Sequence, residues 1–434
     1  MPKPSRLLRV LAGVILVSLQ TYNMTRVSKT LHRHVPEYDA PLAEGQGQAD
    51  EQHNPWTFSA CLIIKDQNML LPEWLGYHYT MLPLRRLIVA IDPHSLTDPE
   101  PILDLYSSIG MDITMWRNES DYWQDWGFNS PLDKLDYQLT NASSQTERRS
   151  RYLKRQHHFY AGCLKRLRDE GRTWTAVIDV DEYLALNFFD EGEGAPSWCK
   201  GNSTCQKTYL ASIRHGNNIR TNMTGATAAE IMDNYPEALR YQDKGVWNAV
   251  TYDNPEKPCV MLSRYVFVSQ EDNVDPTEPG VDSEYFNASR FHTLNYHYRA
   301  SLKAPQRGKC MINAKYYDGR PIGNPHRMLG DQCTAHTGFA YNGMNLFRVH
   351  HYLGSWLTFR PLGEDVLGAN RFQERNMEPN IAFDNTTGFD GKTSWLARFI
   401  RLVGAEKARA LTEEAIGRAE TEKHMLELDL ALEQ

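Results

Sequence analysis

The stretch Trp174-Thr-Ala-Val-Ile-Asp-Val-Asp-Glu-Tyr-Leu184 carries the residues best suited to chemistry in this chain. Its apolar run, Ala176 to Ile178, reads as a strand buried on both faces. The run leads into Asp179-Val180-Asp181. On an extended backbone alternate residues point to one side, so both carboxylates project together where the strand emerges. Two neighbouring carboxylates repel, and a divalent cation between them removes the conflict. Mg2+ and Mn2+ prefer oxygen ligands, and Mg2+ is often held by one or two carboxylates plus substrate phosphates. That combination suits an enzyme whose leaving group is a nucleoside diphosphate. The plainer alternative is a solvated acidic turn, because Asp-x-Asp is common by chance.

The flanking sequence says what positions this pair. Phe58 to Ile64 reads as a first buried strand with a polar exit at Lys65-Asp66. Pro72 and Glu73 open a helix that runs through Leu82. Leu87 to Ile91 is a second strand ending at Asp92. A helix around Ile102 to Tyr106, closed by Gly110, leads to a third strand, Met111 to Trp116. Arg151 to Glu170 reads as a helix with Tyr152, Gln156, Phe159, Cys163 and Leu167 on one face. Arg148-Arg149-Ser-Arg151 before it reads as a basic surface turn. Strands alternating with helices predict an α/β fold with a doubly wound, mostly parallel sheet. Ligands bind such sheets at the carboxyl ends of the strands, where Asp66, Asp92, Asp179 and Asp181 converge.

A chain of 434 residues buries a large core, as one big domain or two smaller ones. A net charge of -7 gives no dominant basic surface and argues against nucleic acid as a partner. Seven cysteines are too few for a disulfide scaffold, and none has zinc-site spacing. Cys199 and Cys205 flank a short polar loop and can pair locally, while Cys61 and Cys163 read as buried thiols.

The N-terminus carries Lys3, Arg6 and Arg9 before an apolar run from Val10 to Leu19. No clear cleavage site follows, so residues 1–24 read as a type II signal anchor, with a cleaved signal and a secreted product as the alternative. Acceptor sequons at Asn118, Asn141, Asn202, Asn222, Asn287 and Asn385 favour a secretory route. Residues 25–55 are polar and read as a flexible stem. Residues 56–404 form the globular domain, and the charged segment 405–434 reads as an amphipathic closing helix.

Several motifs occur in a telling order. They are Cys61-Leu-Ile-Ile-Lys-Asp-Gln-Asn, Glu73-Trp-Leu-Gly-Tyr-His78, Arg155-Gln156 with Phe159-Tyr160, and Trp174 to Leu184. Weaker echoes follow at Lys309-Cys-Met-Ile312, Asn324-Pro-His326, Arg348 to Ser355, and Trp395-Leu396. Together they resemble the GT-A-fold glycosyltransferases of family 92. This chain has Lys65-Asp66-Gln67 where that family has Lys-Asn-Glu.

The resemblance implies a metal-dependent, inverting transfer of a hexose from a nucleotide sugar, UDP-linked, to a glycan acceptor, in the Golgi or endoplasmic reticulum. Galactosyl transfer is common in the family. The resemblance also implies that Asp179 approaches the donor and that Asp181 binds Mn2+ or Mg2+. A later histidine commonly adds a ligand. His326, in a polar loop after Asn-Pro, is favoured, and His350 and His351 are the alternatives. Asp66 and Asp92 fall where a base and ribose would lie, since carboxylates accept from N–H and hydroxyl groups. Arg155 and Gln156 face the donor phosphates or sugar, unless that helix face is simply solvated. Asp331 and Glu284 lie in the acceptor half, but nothing singles out either as the base. The rival reading is a secretory-pathway protein of this fold that binds a carbohydrate or nucleotide sugar without turnover.

Overall fold

A computed structural model of the chain describes residues 58–125, 145–186, 258–269, 286–300, 308–322, 347–355 and 394–432, with shorter pieces within 238–250, 326–334 and 381–383. The anchor and stem expected over residues 1–55 lie outside the described residues, as do Cys199, Cys205, Glu284 and Asp331. Among the described residues no helix is long and apolar enough to cross a membrane.

The first half follows the alternation expected from its sequence. Strand β1 (Phe58–Ile64) is apolar on both faces and wholly buried. Helix α1 (Leu71–Met81) opens with proline in its first turn. Strand β2 (Leu84–Ile91), helix α2 (Glu100–Ser107) and strand β3 (Asp112–Trp116) follow. Helix α3 (Gln145–Asp169) starts earlier than the spacing predicts and absorbs residues 148–151, expected to be a surface turn. Gly171, with a φ of 74°, closes it and turns the chain into strand β4 (Trp174–Val177). These strands lie in the order β3-β2-β1-β4, all parallel, with a helix in each crossover.

The second half is mixed, and this corrects the expected mostly parallel sheet. It contains β5 (Glu182–Leu186), the separate hairpin of β6 (Ala238–Asp243) and β7 (Val246–Val250), and β8 (Cys259–Phe267). Then come β9 (Tyr298–Ala300), β10 (Lys309–Asn313), β11 (Cys333–Thr334), β12 (Phe347–Tyr352) and β13 (Ile381–Phe383). Strand β10 runs antiparallel to both β4 and β8, and so joins the two halves. Strand β12 lies parallel to β8 and antiparallel to β5. A parallel neighbour needs a long crossover. Among the described residues between β5 and β13 lies the four-residue helix α4 (His292–Asn295), and there β8 has parallel neighbours in β11 and β12 and antiparallel ones in β9 and β10.

Helices cover both faces. On one face α1 packs against α5 (Trp395–Val403) and α7 (Glu413–Leu432), and α2 packs against α6 (Ala405–Leu411). The closing segment is thus two helices broken at Thr412. Its Ala408, Leu411 and Ile416 belong to the main core rather than to an appendage. On the other face α3 contributes Phe159, Tyr160, Cys163, Leu164 and Leu167 to a second cluster. There Cys61 and Cys163 form a disulfide across 102 residues, not the pair of buried thiols expected. Alternation along β1 turns Cys61 toward α3, and the 6.2 Å Cα separation is within disulfide range. A second disulfide joins Cys259 to Cys333, neighbours in register on β8 and β11.

One buried carboxylate ties these layers together. Glu73 on α1 accepts from the main-chain N–H groups of His292 and Thr293 at 2.8 Å and from the Thr293 hydroxyl at 2.7 Å. The indole N–H of Trp395 in turn donates to that hydroxyl oxygen. Burial pushes Glu73 up to about 7, against hydrogen bonds that favour the anion. A carboxyl whose folded pKa exceeds its unfolded value of 4.5 favours the fold most below 4.5, and that contribution fades as pH rises toward 7. Stability followed by thermal melting from pH 5 to 7.5 is therefore expected to fall in the wild type by roughly 2 kcal/mol, at about 1.4 kcal/mol per pKa unit. Glu73→Gln should melt lower throughout but lose this slope.

Candidate active site

Strand β4 ends at Val177, and Asp179-Val180-Asp181 forms a closed turn into β5, not the extended exit expected from the spacing. The Glu182 N–H donates to the Asp179 carbonyl at 3.0 Å, and the Asp179 N–H donates back to the Glu182 carboxylate at 3.0 Å. Ile178 and Val180, both fully buried, anchor the turn in the core. The two aspartates are still brought together. The turn sits at the carboxyl ends of the parallel strands, where Asp66 and Asp92 follow β1 and β2.

Strand β12 supplies the partner of Asp181. The His351 Nε2 lies 2.9 Å from the Asp181 carboxylate, and the Tyr352 N–H donates to the Asp181 carbonyl at 3.0 Å. Strand alternation separates the two adjacent histidines. His351 faces the acidic turn, whereas His350 faces the core, taking a 2.6 Å bond from Arg348 and packing on Phe267. His326, the favoured ligand from sequence, is elsewhere: its Nδ1 lies 2.9 Å from the Gly308 carbonyl, beside Lys309. Burial and the Lys309 charge hold its imidazole below the ordinary range.

Three charged residues that sequence reasoning passed over complete the site. Glu182, fully buried, takes part in the turn and receives Arg264 from β8 at 3.2 Å. Lys309, at the start of β10, places its ammonium 2.6 Å from Asp179 and 3.1 Å from Glu182. Burial alone would push Asp181 and Glu182 up, but the cations prevail. His351 holds Asp181 below its ordinary value, and Lys309, His351 and Arg264 do the same for Glu182. The available signals were a glutamate directly after Asp181 and a lysine opening an apolar strand.

Helix α3 forms a wall of the site. The Gln156 amide donates to the Tyr160 hydroxyl at 3.0 Å, and that hydroxyl points to Asp179 at 3.5 Å. Tyr152, one turn earlier, lies near Asp179, Asp92 and Asp181; burial and these charges push its hydroxyl up. Arg155 is committed within the chain, 2.9 Å from the buried Asp92 and 3.6 Å from Glu119. Asp92 also accepts from the His94 N–H. Asp66, at a φ of 54°, accepts through one oxygen from the Leu96 and Thr97 N–H groups and the Ser95 and Thr97 hydroxyls. Both aspartates expected to meet a base and ribose thus organise loops, because donors from residues 94–97 and Arg155 reach them first.

No family model matches the chain, and no curated protein or solved structure matches it. The chemistry therefore rests on geometry. A divalent cation implied by the sequence resemblance has a partial fit here. Asp181 and His351 place a carboxylate oxygen and an imidazole nitrogen 2.9 Å apart, a spacing two ligands of one ion can share. Asp179, Asp181 and His326 do not gather as one ligand set. Among the described residues the sole group of three ligating atoms within 4.8 Å is Cys259, Cys310 and Cys333, two of which form a disulfide.

The depressed carboxyls make an acid limb predictable. A carboxyl with a lowered folded pKa contributes stability above its unfolded value, and loses it as pH falls through the folded one. Asp181 and Glu182 both act in this sense below their ordinary values of 3.8 and 4.5. Glu182→Ala, which removes the carboxylate facing Arg264 and leaves Lys309 with Asp179 alone, is expected to cost about 3 kcal/mol at pH 7 by denaturant unfolding and to shallow the loss of stability below pH 4.5.

Proposed function

We propose that this chain is a GT-A-type glycosyltransferase of the secretory pathway that moves a hexose from a UDP-linked sugar to a glycan acceptor. The observation that carries the reading is the Asp181–His351 pair, 2.9 Å apart, next to Asp179 at the carboxyl edge of parallel strands. That edge is where an α/β sheet accepts nucleotides. Mn2+ or Mg2+ held by Asp181 and His351 would supply stabilisation of the charge that develops on the leaving diphosphate. Asp179 is oriented by Lys309 and Tyr160, and Tyr152 lines the same space from α3.

The secretory location is supported by the two disulfides, which persist in oxidising compartments. Asn118 and Asn287, the sequon residues among those described, are both exposed. A type II anchor at residues 1–24, with a lumenal domain, remains the membrane arrangement we propose; secretion after cleavage is its rival.

One observation favours the non-catalytic alternative. Asp92 is held at both oxygens by donors of the chain itself, and Asp66 at one, which leaves less of either for a nucleoside. Thermal melting of the full chain against nucleotide sugars, with and without Mn2+, separates the two, because a ligand of the native state raises the melting point by mass action. A Mn2+-dependent rise with one UDP-sugar is expected, and no rise with any donor would overturn the transferase reading. With that donor, Asp181→Asn and His351→Ala should each lower transfer about a hundredfold or more while the folded spectrum is retained. Full turnover in Asp181→Asn would remove the metal assignment.

A further inference from the structure

We propose that Lys309 is a resident cation that keeps a divalent ion from settling on the acidic turn until a diphosphate arrives with it. The inference rests on the transferase reading and names how its site is loaded.

Three observations carry it. First, Lys309 occupies the position between carboxylates that a metal would take, 2.6 Å from Asp179 and 3.1 Å from Glu182. Its side chain is 2% exposed, and its backbone is held in register against Leu262 of β8, with β4 pairing from the next residue, Cys310. Second, with Asp179 and Glu182 engaged, the turn presents one carboxylate and one imidazole, Asp181 and His351. Among the described residues no third carboxylate or imidazole joins them within ligating distance. Two protein ligands hold Mg2+ or Mn2+ well where substrate phosphate oxygens fill out the shell. Third, the charges nearly balance without a metal. Asp179, Asp181 and Glu182 face Lys309 and Arg264, leaving a single negative charge when His351 is neutral. A bare divalent ion would overshoot that charge beside an ammonium. The same ion with a diphosphate would not, because the phosphates bring the missing negative charge and Lys309 attracts them.

The variant that tests this is Lys309→Met in the full chain. Asp179 is 37% exposed and can be solvated when its partner leaves, while Glu182 keeps Arg264. Free Mn2+ is followed by electron paramagnetic resonance in titrations with and without UDP, which requires no turnover. The wild type is expected to bind Mn2+ at least tenfold more tightly with UDP than alone. Lys309→Met is expected to bind Mn2+ alone at least tenfold more tightly than the wild type, so that UDP adds little. Equal affinity of both proteins for Mn2+ alone would overturn the role of Lys309, as would a wild type that binds Mn2+ equally well with and without UDP although UDP binds. If Lys309→Met does not fold, Lys309→Met/Glu182→Gln keeps the charge balance and still releases Asp179, and the same tenfold gain is required of it. Failure of UDP to bind any of these proteins would instead overturn the transferase reading, and the comparison with Mn2+ alone would still decide the role of Lys309.

Discussion

Three carboxylates crowded into one four-residue turn, one of them fully buried and two partly exposed, need counter-charge, and the second half of the chain supplies it. Asp179, Asp181 and Glu182 come from one short stretch, whereas Lys309, Arg264 and His351 come from β10, β8 and β12. Each of these side chains reaches the turn because β10 pairs with β4, β12 pairs with β5, and β8 lies beside both β10 and β12. An uncompensated buried charge in this position would be costly, and the register that the apolar faces set brings the counter-charges to it. The mixed topology of the second half and the charge pattern of the pocket are thus two aspects of one constraint.

Legibility from sequence followed the range of the interactions. Phe58–Ile64, Leu84–Ile91 and Asp112–Trp116 were readable because apolar runs bounded by turn residues leave few alternatives. Their parallel order was readable from the helices between them. The later strands were harder, since Cys259–Phe267 and Lys309–Asn313 find partners far away in the chain, and no local pattern announces antiparallel pairing. The same limit explains the disulfide of Cys61 and Cys163: each residue looks like a buried thiol by itself, and their proximity exists once α3 lies on β1.

At the site, residue types were legible and pairings were not. The acidic pair was correctly placed at the carboxyl edge, yet its extended exit is a turn closed by Glu182. His326 looked better than His351 because it sits in a polar loop, while His351 ends an apolar strand. Strand alternation reverses that preference, turning His351 to the turn and His350 to the aromatic core. Asp66, Asp92 and Arg155 had the right chemistry for a nucleotide, but loop donors hold one oxygen of Asp66, and Asp92 and Arg155 pair with each other. Lys309 was legible as the start of an apolar motif but not as a partner of the turn, because Asp179 and Glu182 lie more than a hundred residues away in the chain.

Strand β8 has a consequence of a different kind. Its first half pairs with β10 and β11, and its second half pairs with β12 and β9. One nine-residue strand therefore gauges the heights of both Lys309 and His351 against the acidic turn. A deletion or insertion of a single residue within it would shift one of these side chains relative to the other and turn it to the opposite face. Conservative exchanges along β8 should be readily absorbed by the core around it. A change in its length should not, so the pocket is guarded less by the identity of β8 residues than by their number.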